Sequence, residues 1–158
     1  VNYFNTHRDT DVLFGNMTFV DEFGNTIKVK KEFGFYRGML LYYGCYIPSC
    51  ATFVRRRIID DGYLLDESYR VCMDFEWYAR LAHNHYTFSH IPLNVAYFIM
   101  HGNNISKIVP YELRRFDYNR VQLLYGSFPG FPKYFRIQIY NILYWYWIII
   151  RVLLRNFK

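Results

Sequence analysis

Ala51-Thr-Phe-Val-Arg-Arg-Arg-Ile-Ile-Asp-Asp-Gly-Tyr-Leu-Leu-Asp-Glu-Ser-Tyr-Arg-Val-Cys-Met-Asp-Phe-Glu-Trp-Tyr-Ala-Arg-Leu81 is the stretch on which the reading of the fold turns. It begins at the end of an apolar, β-leaning run, Cys45 to Val54, in which Pro48 suits an edge or irregular position. Arg55-Arg-Arg57 ends that run, and Ile58 to Asp61 reads as a helical turn closed by Gly62. A helix is predicted from about Asp74 to His83. Phe75, Tyr78, Ala79 and Ala82 share one face, which Trp77 and Leu81 widen. Glu76 precedes Arg80 by four, the favourable order for a helical ion pair, and Asn84 closes the helix.

Upstream, Asp11 to Val20 reads as a buried strand. Asp21-Glu-Phe-Gly-Asn25 supplies turn residues tolerant of positive φ, and Thr26 to Val29 alternates as a half-exposed strand should. Downstream, Tyr86 to His90 and Val95 to Met100 read as two strands parted by Pro92. A polar helix from about Pro110 to Tyr125 follows, then a loop to Pro132 and an apolar tail. The alternation of strands and helices predicts an α/β fold.

Composition narrows the function classes. Apolar residues make up 53% of the 158, aromatics 22%, which suits a packed core and excludes a disordered or collagen-like chain. Cys45, Cys50 and Cys72 are odd in number and form no CxxC pair, so a reducing compartment is expected rather than a disulfide framework or zinc knuckle. Residues 1–117 carry 13 bases and 13 acids. Beyond Asp117 come Arg120, Lys133, Arg136, Arg151, Arg155 and Lys158 with no acid among them. The net charge of +6 therefore sits in the tail, which argues against a nucleic-acid surface and for an anionic membrane surface. The Arg55–Arg57 run is better read as a solvated strand end than as a nucleic-acid patch.

Four pieces stand in a fixed order: Phe14-Gly-Asn with Val20-Asp-Glu-Phe-Gly24, then Gly44 to Arg57, then Leu65-Asp-Glu-Ser with Met73-Asp-Phe-Glu-Trp-Tyr-Ala-Arg-Leu81, then His101-Gly-Asn-Asn-Ile-Ser106. In this order they resemble the C-terminal part of the catalytic domain of family 2 glycosyltransferases, over residues 1–108. Asn16 stands where the family commonly has Asp, Met73 where it has an acid, and Ile99 where it has Arg. The resemblance implies a GT-A fold, a mixed sheet with flanking helices. It also implies that the opening strand, the nucleotide-binding loop and the Asp-x-Asp metal motif lie upstream of Val1. Residues 109–132 then form a helix and loop connector, and 133–158 an apolar, basic, membrane-associating helix.

The implied activity is inverting transfer of a sugar from a nucleotide-sugar to an acceptor hydroxyl on a sugar, a lipid-linked group or a protein. It would serve polysaccharide or glycoconjugate synthesis. Asp74 is the implied base, taking the hydroxyl proton as oxygen attacks the anomeric carbon; taken alone, an aspartate there is equally a helix N-cap. His101 is the implied ligand of a divalent metal, Mn or Mg, that neutralises the leaving diphosphate. Gly44, Ser49, Thr52, Arg56, Glu76, Arg80, Asn104, Ser106 and Lys107 are the implied substrate-binding residues. No Ser-His-Asp order and no phosphate-cradling glycine loop supports a hydrolase or kinase. The competing reading is an inactive, membrane-associated binding module keeping half of the fold.

The tail has its own arithmetic. Ile137 to Ile150 is 14 residues without a charge, about 21 Å of helix at about 1.5 Å per residue against a bilayer core of about 30 Å. A helix lying in the membrane interface, with Lys133, Arg136, Arg155 and Lys158 at the headgroups, is therefore expected, on an otherwise cytoplasmic protein. The alternative is a core helix covered by protein.

Overall fold

The computed structural model describes residues 2–102, 104, 108–127 and 130–156. Its organising element is strand β1 (Val12–Val20), buried almost throughout. One edge of β1 takes β4 (Phe88–Ile99) in parallel along its length. The other takes β3 (Thr52–Val54) against Val12–Phe14 and β2 (Thr26–Lys30) against Met17–Val20, both antiparallel. A strand paired on both edges and covered by helices has no solvated face, which is why Val12, Leu13 and Phe14 run on without alternation. The fold is thus mixed α/β with a four-stranded mixed sheet and an apolar C-terminal helix.

The β1–β2 turn forms as its residues dictate. The Asp21 carboxylate accepts from the Phe23 and Asn25 backbone N–H groups at 2.9 and 2.8 Å, and Gly24 takes φ +85°. The Cys45–Val54 run departs from the expectation, because only Thr52–Val54 pairs. Ser49–Ala51 instead form a 3-10 turn after Pro48, whose ring removes a ladder donor. The two strands expected around Pro92 are one strand. The register jumps from Phe14 beside His90 to Asn16 beside Asn94, then to Met17 beside Ala96. The extra residues bulge outward at Pro92 on an edge strand, where a missing N–H costs no ladder bond.

A parallel pair needs a crossover. Here it runs through a five-residue π-helix (Met39–Tyr43), β3, α2 (Arg56–Asp60) and α3 (Met73–His83), α1 (Asn2–Thr6) having preceded β1. Phe75, Tyr78 and Ala79 of α3 enter the main core, while Leu81 joins Val12 and Ile58 in a smaller cluster. Leu81 is therefore the fully buried residue and Ala82 only half-buried. The arginine run is divided in use. Arg55 donates to the Thr10 and Phe4 carbonyls and Arg57 Nε to buried Asp11 at 2.6 Å, while Arg56 stays in solvent with Asp60.

The segment expected to connect is part of the core. In α4 (Tyr111–Tyr125), Val121 is fully buried, Asp117 accepts from Val71 N–H, and Gln122 donates to the Leu41 carbonyl. Helix α5 (Lys133–Asn156) packs along the π-helix, and Tyr140 enters the main core. Its stretch Tyr134–Leu154, 21 residues of mean hydropathy 1.4, is long and apolar enough to cross a membrane. The apolar run thus continues through Arg136 and Arg151 instead of stopping at the 14 uncharged residues between them.

Candidate functional site

A cavity of about 1260 Å³ opens where several separate pieces of chain meet. Met17 and Phe19 of β1 form one wall, with Lys30 at the end of β2. The loop and 3-10 turn from Cys45 to Thr52 form another. Arg70 to Trp77 leads into α3, His101 and Asn104 follow β4, and Arg114 and Tyr118 come from α4. Asp74, Ser49, Thr52, His101 and Asn104, which the sequence places far apart, line this one space.

Asp74 is the second residue of α3. The N-cap is Cys72, with no side-chain capping bond, so Asp74 is not the cap that its position suggested. Its Oδ1 accepts from Phe75 N–H at 2.8 Å, and the Ser49 side chain favours the charged carboxylate. Burial pushes its carboxyl above the ordinary aspartate range; hydrogen bonding and the Lys30 charge pull it part of the way back. A desolvated carboxylate with an upward shift is a stronger base than one in water.

Charge around Asp74 is one-sided. It is the sole carboxylate among the described lining residues, which include Lys30, Arg70 and Arg114. Such a lining favours an anionic ligand. Lys30 is fixed by two partners: Nζ donates to the Tyr46 carbonyl at 2.8 Å and lies 3.2 Å from the buried Glu32 carboxylate. No thiol competes as nucleophile. Burial raises the pKa of Cys45 and Cys50, and that of Cys72 to about 12, so all three stay protonated near neutrality. Tyr78 and Tyr118 are likewise raised by burial and remain phenols.

The remaining expected residues divide between the cavity lining and other parts of the fold. Asn104 spends its amide on the turn after β4: Oδ1 accepts from His101 N–H at 2.7 Å and Nδ2 donates to the Ile99 carbonyl. It therefore positions His101. Thr52 Oγ1 donates to the Pro48 carbonyl at 2.8 Å. Gly44 closes the π-helix at φ +133°, and a Cβ there would lie 3.1 Å from Tyr118 Cε1, so its small size admits Tyr118. Arg56 lies in solvent on α2. Glu76 and Arg80 form their ion pair, Nε to Oε1 at 3.0 Å, behind the cavity wall. Asn16 is buried with Oδ1 accepting from Glu32 N–H at 2.8 Å. Ser106 and Lys107 lie outside the described residues.

Lys30, Arg70, Arg114 and Tyr118 are lining residues that sequence reasoning missed. None of them stood in a motif, and Lys30 lies one residue beyond the strand read at Thr26 to Val29. Among the described residues, no group of three or more His, Cys, Asp or Glu could hold an ion, and His101 has Asp74 as the one carboxylate lining its cavity. A hard cation takes several oxygens, more carboxylates than the described lining offers. Compared with known proteins, the chain matches no family model and no curated protein.

Proposed function

We propose that this chain carries the base-bearing part of an inverting glycosyltransferase. The observation that supports it is a single desolvated carboxylate, Asp74, set among cationic groups in a cavity large enough for a nucleotide-sugar. The order of the four motifs, with Asp74, Arg80 and His101 at the family's spacing, gives that carboxylate its role. An acceptor hydroxyl, presented by a sugar, a lipid-linked group or a protein, attacks the anomeric carbon as the bond to the diphosphate oxygen breaks. The hydroxyl proton passes to Asp74, and the departing electron pair stays on the diphosphate. Lys30, Arg70 and Arg114 offset the charge that develops there. Ser49 lines the cavity with Asp74 and favours its charged form, and His101, on its Asn104-closed turn, faces the leaving group. The reaction is placed at the cytoplasmic face of a membrane, to which α5 attaches the protein peripherally.

The test is titration of the natural gene product with a panel of nucleotide-sugars, followed by detection of the freed nucleoside diphosphate. One donor should bind and be consumed when an acceptor hydroxyl is supplied. Binding by none of them would remove the reading.

A further inference from the structure

Helix α5 presents two apolar stripes. Tyr140, Leu143, Trp147, Ile150 and Leu154 pack on the main core. Ile142, Trp145, Ile149 and Val152, at helical spacing on another face, are 52–69% exposed. Both arginines inside the apolar stretch are directed to the protein. Arg136 Nη2 donates to the Leu123 carbonyl at 3.0 Å. The Arg151 guanidinium, 11% exposed, lies 3.6 Å from the buried Glu32 carboxylate and 4.7 Å over the Tyr43 ring. Between them, Trp147 packs so closely on Gly38 that a Cβ there would stand 2.4 Å from its Cζ2. A helix held at both ends and in the middle cannot cross a bilayer alone without stripping those contacts and leaving Glu32 short of a cation.

We infer that α5 lies in the plane of an anionic membrane leaflet, with the Ile142–Trp145–Ile149–Val152 face inserted and the opposite face kept on the protein. This rests on the membrane placement proposed above and not on sugar transfer. With Arg136 and Arg151 turned inward, the inserting face carries no described charge, and Trp145 and Tyr146 supply the amphipathic rings that favour the headgroup level. Charge decides the occupant. α5 contains no acid, and Lys133 and Arg155 stand at its two ends. A second copy laid antiparallel on the same face would bring basic end onto basic end, whereas anionic headgroups complement both.

The experiment is flotation of the full chain with vesicles of phosphatidylcholine alone or mixed in equal parts with phosphatidylglycerol. The mixed vesicles should be bound and the neutral ones bound far more weakly. The triple variant Ile142→Ser, Trp145→Ser, Ile149→Ser should lose at least about tenfold in affinity, and Ile149→Ser alone should fall between, both with unchanged circular dichroism. An environment-sensitive dye on Trp145→Cys, in a Cys50→Ser background, should report a shallow position. Absence of vesicle binding by the wild type would overturn both the membrane placement and the inference. Equal binding by the triple variant would overturn the face while leaving the placement. A dye at the bilayer centre would show a spanning helix, because residue 145 is near the middle of the apolar stretch. Lipid-independent self-association abolished by the triple variant would assign the face to a second copy and overturn the inference.

Discussion

Asp74 and Glu76, two residues apart on α3, face opposite sides of the helix. Asp74 lines the cavity, whereas Glu76 is buried behind it, gripped by Arg80 at 3.0 and 3.1 Å and by the Tyr125 hydroxyl at 2.7 Å. Two residues turn a helix by more than half a circle, so one short segment supplies both a cavity-lining carboxylate and a structural one. The two should respond to substitution in opposite ways.

Removing the structural carboxylate should destabilise the fold. Glu76→Ala leaves Arg80 and Tyr125 without their shared acceptor, and breaking one side of a buried pair costs about 3 kcal/mol. Glu76→Gln, which can still accept from Tyr125, should cost less. Urea denaturation measures both. A Glu76→Ala midpoint equal to wild type would contradict this division of roles.

Neutralising the cavity-lining carboxylate should stabilise the fold. Burial raises the folded pKa of Asp74, so the folded state binds the proton more tightly than the unfolded chain. Its contribution to stability is therefore present below the ordinary aspartate range and lost as pH rises through the raised folded value. Asp74→Asn keeps an acceptor for Phe75 N–H and loses the desolvated charge. Its melting temperature should exceed that of wild type at neutral pH, with the gap closing in acid. A variant less stable than wild type at every pH would refute this.

Gly44→Ala meets two obstacles, φ +133° and the Tyr118 ring at 3.1 Å. Strain of this kind costs about 1–3 kcal/mol. Displacing Tyr118, whose hydroxyl accepts from Cys45 N–H at 3.3 Å and whose ring lines the cavity, should also weaken nucleotide-sugar binding. Thermal denaturation and calorimetric titration of the variant check the two effects; an unaltered melting temperature would contradict the packing argument.

What the sequence made legible was local. The Asp21–Asn25 turn, the Glu76–Arg80 pair and α3 follow from residues within one or two helical turns of each other, and each stands where its chemistry requires. Pro92 misled, because the ring reads as a strand break until the parallel partner β1 is known; the bulge that absorbs it exists only in that pairing. Asp74, Ser49 and His101 were found through motif order, and the sheet brings them to one cavity. Lys30 and Arg114 were out of reach, since their arrival there depends on the β1–β2 register and on how α4 docks, neither of which is written in neighbouring residues. Arg136 and Arg151 read as charges interrupting an apolar helix. Only the docked helix shows both turned to the protein.

The role of Asp74 as base is tested most directly by turnover of Asp74→Asn in the natural gene product, with saturating donor and acceptor. Turnover should fall by about 10²–10⁴-fold, the usual worth of a positioned base, while donor affinity stays near that of wild type. Retention of most of the wild-type turnover would contradict the account.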